Sequence, residues 1–395
     1  MKYYLFGFLL ALFSLGAEAS VVKENNVVAQ NDSSLLKTWF NSSMFRGNSK
    51  DSLVRERHKK TFFHQIGKGF SKFFREFNSI DTTYIEPQRY NYTFMMQQTT
   101  TYEMYSLSDK SGQKITFAPD MSVRLGPYFG WRWIFLGYTF DLKHLNTKSD
   151  HTSKKELDLS LYSSLLGVDL FWRQTGNDYK IDRLTLGKDV NTASIKNTPF
   201  SGLKASIRGF NLYYVFNHRR FSYPAAYAQS TIQRKSAGSF LAGIGYTRHS
   251  LDLDLKDLES VIREKLEPEL GDQAHVDTTL MTNKVKYTDV SFTGGYAYNW
   301  VFAKNCLFNA SLSVGLAYNA SSSDIEHKTH TIKDFNVKNF NLDGVGRFGF
   351  VWNNMRWYVG TSAIIHSYNY KKGQFSTNNS FGSFNLYVGY NFGKR

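Results

Sequence analysis

Few residues in this chain could perform chemistry, and none of them forms a known catalytic motif. Two pairs, His249-Ser250 and His366-Ser367, could supply a base and a nucleophile. If each pair lies on a β-strand, however, its two side chains point to opposite faces and cannot act together. The sequence has no G-x-S-x-G, H-E-x-x-H or phosphate-binding loop, and the single cysteine, Cys306, cannot form an internal disulfide. We predict no catalytic residue, no metal site, no cofactor and no enzymatic activity, although a His–Ser pair from two different strands stays open.

Alternation of apolar with small or polar residues dominates the chain from Tyr90 onward. In the segment Asn305–Asn319 every second residue is apolar, and the segment from Phe384 to Phe392 repeats this pattern. A period of two is the side-chain period of a β-strand. After the N-terminal region no apolar run approaches the roughly 18–20 residues that a membrane-spanning helix needs. If the protein lies in a membrane, strands must place it there.

The connections between these segments alternate in length. Short turns fall near residues 132, 176, 218, 304 and 353, and mostly longer loops fall near 110, 149, 193, 270, 330 and 375. This order is typical of an all-β, antiparallel transmembrane β-barrel, here of about 12 strands. A soluble lipocalin-like barrel or a β-sandwich would have an apolar interior and a polar exterior. Strands with aromatic-rich faces opposite Gly, Ser and Asn faces favour the membrane arrangement.

The N-terminal residues predict export from the cytoplasm. Lys2, the apolar run Leu5–Leu15 and the sequence Ala17-Glu18-Ala19 are typical of a signal peptide at 1–19. Residues 20–88 are polar and basic and predict a periplasmic segment, within which Phe and Ile recur at helical spacing between basic residues at 60–77. This amphipathic helix would lie on the periplasmic leaflet, cap the barrel mouth or pack on its first strand. The barrel itself is assigned to 89–395.

The net charge of +15 restricts the partners. A signal peptide argues against nucleic acid, so we expect outer-membrane lipid, lipopolysaccharide and small anionic or polar solutes as partners. No partner protein can be named from the sequence. The predicted location is the outer membrane of a Gram-negative bacterium.

The alternation also assigns charged and titratable side chains to the barrel interior. The predicted lumen-facing residues are Arg124, Arg132, Asp141, Asp169, Asp289, Arg347, Arg356 and His366. Because both signs occur, one interpretation is an internal network of ion pairs that fills a narrow barrel. The other is a polar channel whose charges select solutes.

Two segments depart from the alternation. Phe221–Ser236 contains Pro224, which cannot donate to a strand ladder, and it carries Gln229, Gln233, Arg234 and Lys235. One hypothesis is a plug that folds into the lumen near the periplasmic end and pairs with Asp141 and Asp169; the other is a bulged, irregular strand. The apolar spacing between Leu255 and Leu266 predicts a short helix, ending at Pro268, in a long extracellular loop.

Long motifs link the chain to a known family. They are D-T-T-Y-I-E-P-Q-R-Y-N-Y-T-F-M from Asp81, I-T-F-A-P-D from Ile115 and G-P-Y-F-G-W-R-W from Gly126, followed by T-G-N-D-Y-K-I and F-S-Y-P-A-A-Y. From about Asp81 to the C-terminus the chain resembles domain of unknown function 4421. The resemblance implies a secreted, outer-membrane-like protein and implies no activity.

Three functions follow as hypotheses. The leading one is an outer-membrane barrel of unknown specific activity that passes small polar or anionic solutes. The second is a plugged structural or partner-binding barrel that acts through its loops. The third is a barrel enzyme that modifies lipid or lipopolysaccharide.

Overall fold

A computed structural model describes residues 79–131, 134–141, 155–176, 178–187, 190–271, 284–321, 340–372 and 375–394. Contacts divide the chain into two units, residues 1–70 and 71–395, and every described residue belongs to the second. The predicted signal peptide and the amphipathic helix at 60–77 lie outside the described residues.

The described residues are mainly β-structure. The strands are β1 (Ile85–Pro87), β2 (Tyr90–Asp109), β3 (Lys114–Pro119), β4 (Ser122–Trp131), β5 (Ile134–Gly137), β6 (Phe140–Asp141), β7 (Lys155–Tyr162), β8 (Leu166–Gln174), β9 (Tyr179–Thr185), β10 (Thr198–Pro199), β11 (Leu203–Val215), β12 (Thr231–Gln233), β13 (Ala237–Leu253), β14 (Lys284–Ala303), β15 (Cys306–Ser321), β16 (Phe340–Asn353), β17 (Trp357–Lys372) and β18 (Phe375–Lys394). Two α-helices, α1 (Tyr223–Tyr227) and α2 (Leu255–Leu270), and a 3-10 turn at Ala193–Ile195 interrupt them. The predicted all-β class is confirmed.

Every pairing between described strands is antiparallel. β1 pairs with β12, and the remaining described strands form one sheet, in which the order runs β10-β9-β3-β2-β18-β17-β16-β15-β14-β13-β11-β8-β7. The long strand β2 serves two neighbours on one edge, because its first half pairs with β4 and its second half with β3. β4 also pairs with β5 and β6.

The sheet curls so that side chains from distant strands meet inside it. Asn211 on β11 donates to the Tyr368 hydroxyl on β17 at 3.1 Å, although four strands separate them in the sheet order. Arg124 on β4 donates to Glu156 on β7 at 2.7 Å, which brings the two far ends of the sheet together. The described strands therefore surround an interior.

The two faces of the sheet have the polarity that the alternation predicts. On β15 Leu312 is 63% exposed, whereas Ser311 and Ser313, its neighbours, are 4% and 9% exposed. Strand β18 has the same pattern, since Leu386 is exposed and Asn385 faces inward. The outward face is thus apolar and the inward face largely polar. No helix among the described residues has the length and apolar composition that crossing a membrane requires.

The strand layout differs from the sequence prediction in two places. The alternation over residues 157–172 changes phase near Ser163, a pattern typical of one long strand with a bulge, but these residues form two strands, β7 and β8, which pair as a hairpin. The Ser163 hydroxyl donates to the Leu166 carbonyl at 2.7 Å and closes this turn, which is why the phase changes there. The segment from Tyr179, whose alternation is weak, forms β9, which in the described sheet pairs with β3 and β10 and not with β8 or β11. The short connection predicted near residue 176 is present between β8 and β9, and the turn near residue 164 is an additional one.

The two ends of the sheet differ. One end carries the tight turns after β14 and β16, and we call it the short-turn end. At the other, the long-loop end, α2 begins at its cap Asp254 and buries Leu258, Ile262 and Leu266 completely against strands of the sheet. The helix continues to Leu270, past Pro268, where the sequence prediction ended it. An apolar cluster thus fills the interior at the long-loop end.

Candidate functional site

The segment Ser222–Gln233 folds inside the curled sheet at the short-turn end, and we call it the plug. Ser222 caps helix α1 by accepting from the backbone N–H of Ala225, and Pro224 lies in the first turn. Proline suits that position because its missing N–H would have no helical partner there. Pro224 therefore starts a helix here, and the residues from Phe221 to Ala226 are buried.

Hydroxyl groups of the plug helix reach the wall strand β15. The Tyr223 hydroxyl lies 2.6 Å from Ser311 Oγ, and the Tyr227 hydroxyl donates to Asn309 Oδ1 at 2.6 Å. The small polar residues on the inward face of β15 are the partners of these two tyrosines. Their alternation with apolar residues is the pattern that is visible in the sequence.

Two glutamines of the plug also form hydrogen bonds with strands of the sheet. Gln229 Nε2 donates to the Tyr387 hydroxyl at 3.1 Å, and its Oε1 accepts from Asn353 at 2.9 Å. Gln233 Oε1 accepts from Asn299 Nδ2 at 2.9 Å. Both glutamines are nearly fully buried, so their hydrogen bonds to the strands of the sheet replace hydrogen bonds to water. The plug therefore binds β14, β15, β16 and β18.

The basic residues that follow the plug do not enter the interior. Arg234 and Lys235 are exposed; Arg234 pairs with Glu86 of β1, and the Lys235 ammonium lies 5.5 Å from the Tyr84 ring. The predicted pairing of these cations with Asp169 is wrong, because the chain leaves the interior after Gln233 and joins β1. The side chain of Asp141, the other predicted partner, lies outside the described part.

A buried ion pair crosses the interior between the plug and the long-loop end. Arg347 on β16 binds Asp169 on β8, and both side chains are almost completely buried. Ser160 donates to Asp169 at 2.7 Å, and the Arg347 guanidinium lies 4.8 Å from the Tyr213 ring. The sequence predicted that both charged residues face the lumen, and in the structure they form an ion pair.

A second ionic group surrounds Arg173 on β8, a residue that sequence reasoning missed. Arg173 binds Asp158 and lies 3.8 Å from Glu103 and 4.0 Å from Glu156. Arg124, a predicted lumen residue, also binds Glu156, with one third of its side chain exposed. Arg173 has the same parity as Asp169 along β8, and this signal could have identified it.

The histidines of the two His–Ser pairs contact carboxylate or aromatic side chains. His249 Nε2 lies 3.3 Å from Asp289 Oδ2, and Thr247 also donates to this buried carboxylate. His366 packs among aromatic rings, and its Nδ1 has no hydrogen-bond partner in the described structure. Ser367 instead accepts from Asn378 at 3.1 Å. Neither His–Ser pair forms a dyad.

Three predicted lumen residues remain, Arg356, Arg132 and Asp141. Arg356 lies in the turn before β17, where it is exposed and donates to the Tyr390 hydroxyl at 2.6 and 3.0 Å. Its prediction as a lumen residue is wrong, because β17 begins one residue later. Arg132 lies outside the described residues, and only the backbone of Asp141, opposite Arg124, is described.

A cavity of about 460 Å³ lies inside the sheet above the plug. Its wall contains amide and hydroxyl groups, tyrosine rings and part of the ionic groups described above; the polar and ionic residues include Gln97, Thr99, Arg124, Glu156, Asp158, Asp169, Ser362, His366 and Asn385. Tyr227 and Gln229 of the plug border it on one side. The described residues contain no cluster of His, Cys, Asp or Glu that could hold a metal ion.

The family model "Domain of unknown function (DUF4421)" matches residues 79–392. The chain belongs to this family. The resemblance predicted from the motifs is thereby confirmed, and the match includes the plug, the ionic groups and every strand of the wall.

Solved structures with some likeness to this chain include the outer membrane protease OmpT of Escherichia coli, at 6% identity and a TM-score of 0.30, covering 80% of this chain and 100% of that one. The translocator domain of autotransporter NalP from Neisseria meningitidis has 10% identity and a TM-score of 0.27, with 86% and 99% covered. OprG from Pseudomonas aeruginosa has 11% identity and a TM-score of 0.20, with 78% and 98% covered. None of the curated proteins matches the chain.

Proposed function

We propose that this DUF4421 protein is an outer-membrane β-barrel whose lumen is closed by the plug. The apolar outward face supports a membrane location, because a continuous apolar band around a sheet with a polar interior is the arrangement that lipid requires. The described strands run antiparallel, and closure between β7 and the β4–β6 edge would leave no unpaired edge in the membrane.

The plug is the observation that carries this proposal. Its buried tyrosines and glutamines bond to side chains on four wall strands, as described above. In an open, water-filled lumen those groups on the wall strands would form hydrogen bonds with water instead. At the long-loop end the apolar cluster around α2 fills the interior as well. The geometry thus favours a plugged barrel over the permanently open solute channel that led the sequence hypotheses.

The other hypotheses have less support. An enzyme needs a nucleophile and a base that converge on an accessible point. Among the described residues, His249 and His366, which could have served as bases, are buried and contact carboxylate or aromatic groups. Lipid and lipopolysaccharide remain the expected partners of the outward face, and solute passage requires movement of the plug.

Single-channel recording tests the proposal. The full-length protein and a variant whose residues 221–236 are replaced by a short Gly/Ser linker are inserted into planar bilayers. We expect a closed wild type and an open variant. A matched control, Leu386→Ala on the outward face of β18, should stay closed. A conducting wild type, unchanged in the linker variant, would contradict the plug.

A further inference from the structure

The cavity above the plug is a candidate binding site with a recognisable chemical character. Its volume of about 460 Å³ is that of a small-molecule site, for which roughly 300–1,000 Å³ is usual. One side of it is made by the plug, so the inference assumes the plug position proposed above. The question is which chemistry its walls would recognise.

One wall is a network of uncharged polar groups on β2, β17 and β18. Asn385 Oδ1 accepts from Gln97 at 3.1 Å and from Thr99 at 2.8 Å, and Asn385 Nδ2 donates to Ser362 at 3.3 Å. All four side chains border the cavity; Ser362 is buried, and the other three are partly buried. Amide and hydroxyl groups both donate and accept, so this wall suits ligands that do the same.

Tyrosine rings form another part of the lining. Tyr162 and Tyr227 stack with ring centroids 5.2 Å apart, and Tyr387 lies on the inward face of β18. An aromatic ring offers an apolar face together with a polar hydroxyl. Hydrogen-bonding side chains beside aromatic faces match a molecule that carries hydroxyl groups at its rim and C–H groups on its faces.

The charged groups of the cavity argue against an anion. Three carboxylates border it, on Glu156, Asp158 and Asp169, against the single guanidinium of Arg124. Arg124 already binds Glu156, so it offers no free positive charge. Asp158 and Asp169 are likewise bound by Arg173 and Arg347, so a phosphate or carboxylate ligand would find no unpaired cation among these groups. The anionic solutes that the sequence suggested therefore fit this cavity less well than uncharged ones.

We propose that the cavity binds an uncharged, hydroxyl-rich group of one or two rings, as in a neutral sugar. Such a group comes either from a free saccharide or from the head of a membrane glycolipid. The chemistry at the wall is the same in both cases, and Asn385 is its central residue.

Saturation-transfer NMR on the full-length protein, folded in a sugar-free detergent, tests this proposal. The probes are the methyl glycosides of glucose, galactose, mannose and N-acetylglucosamine, with octyl glucoside as the amphiphilic form and glucose 6-phosphate as the anionic form. We expect transfer to the ring protons of a neutral probe. Binding of a methyl glycoside identifies a water-soluble source, and binding of octyl glucoside alone identifies a membrane source.

Variants locate the site. Asn385→Leu should weaken binding about fivefold, the loss of roughly one hydrogen bond, and Ser383→Trp should abolish it by filling the cavity. Asn378→Leu, on the same strand but away from the cavity, is the matched control and should bind normally. Gln97→Leu replaces Asn385→Leu if the latter does not fold.

Three outcomes would overturn the proposal: no transfer from any neutral probe, equal transfer in every variant, or stronger binding of glucose 6-phosphate. None of these outcomes bears on the conductance test of the plug.

Discussion

At the scale of single residues, the interior depends on charges that are buried in pairs. Removing two charges from water is costly, and the attraction inside offsets this cost only when the geometry is good and the remaining atoms are bonded. Asp169 meets that condition, since both Arg347 and Ser160 bind it. Losing one member of such a pair leaves an uncompensated buried charge.

We predict that Arg347→Met lowers the free energy of unfolding by about 3–5 kcal/mol, because Asp169 is then left buried without its counter-ion. The double variant Arg347→Met/Asp169→Leu should lose less than the sum of the two single variants. Equilibrium urea unfolding of the folded protein in detergent measures this. The control Arg248→Met, at an exposed position on the outward face, should change stability by less than about 0.5 kcal/mol. Additive losses in the double variant would mean that the two residues do not interact.

At the scale of elements, the plug is held by β1, which pairs with β12 at the C-terminal end of the plug. Glu86 of β1 binds Arg234, which also donates to Asn305 in the turn after β14 at 2.9 Å. Partial burial acts to raise the pKa of Glu86, but the hydrogen bonds and charges of Arg234 and Arg89 outweigh it and lower the pKa. A carboxyl group with a lowered pKa stabilises the folded state above its ordinary pKa of 4.5, and this stabilisation is lost as pH falls through the lowered value.

We predict that acid loosens the plug. The wild type, closed at neutral pH, should begin to open as pH falls below the ordinary glutamate range, because protonated Glu86 no longer holds Arg234. At neutral pH, Glu86→Gln should open as often as the wild type does in acid. The frequency of its openings should depend less on pH in this range than that of the wild type. Single-channel recording across this pH range measures both. The control Glu259→Gln, in an exposed pair on α2, should behave as the wild type. Identical records from Glu86→Gln and the wild type would remove the role of this ion pair.

At the scale of the whole molecule, the proposed membrane location rests on the apolar outward face. Leu312, Phe292 and Phe240 are each more than 60% exposed there, and a soluble protein rarely leaves so many large apolar side chains in water. A closed barrel also keeps its structure in detergent until it is heated, because its backbone bonds are all internal.

We predict that boiled and unboiled protein run at different positions on a detergent gel, and that Leu312→Arg reduces the folded band. An Arg on the lipid face costs about 2–4 kcal/mol at the midplane of a barrel, whereas Leu312→Ala introduces no charge and should fold. The fraction of folded protein on the gel measures the difference. Recovery of the wild type in the soluble fraction after cell lysis would refute the membrane location.

The amino-acid sequence alone determined the local features of this protein. The alternation around Leu312 and Leu386 identifies strands and predicts which face is apolar, because both depend only on the period of two. The family and the inward position of Asp169 and Arg347 were also accessible, since they follow from motifs and from parity. The irregularity of the segment around Pro224 was visible, and so was the helical spacing before Pro268.

Only the tertiary structure decided which of these residues meet. The turn at Ser163 resembles a bulge in the sequence, because both change the phase of the alternation. Arg347 and Asp169 lie far apart in the chain and in the sheet order, and the curl of the sheet brings them together. Pro224 starts a helix inside the sheet because Tyr223, Tyr227 and their partners on β15 stabilise it there. Such contacts depend on how the sheet curls, a long-range property that no local period specifies.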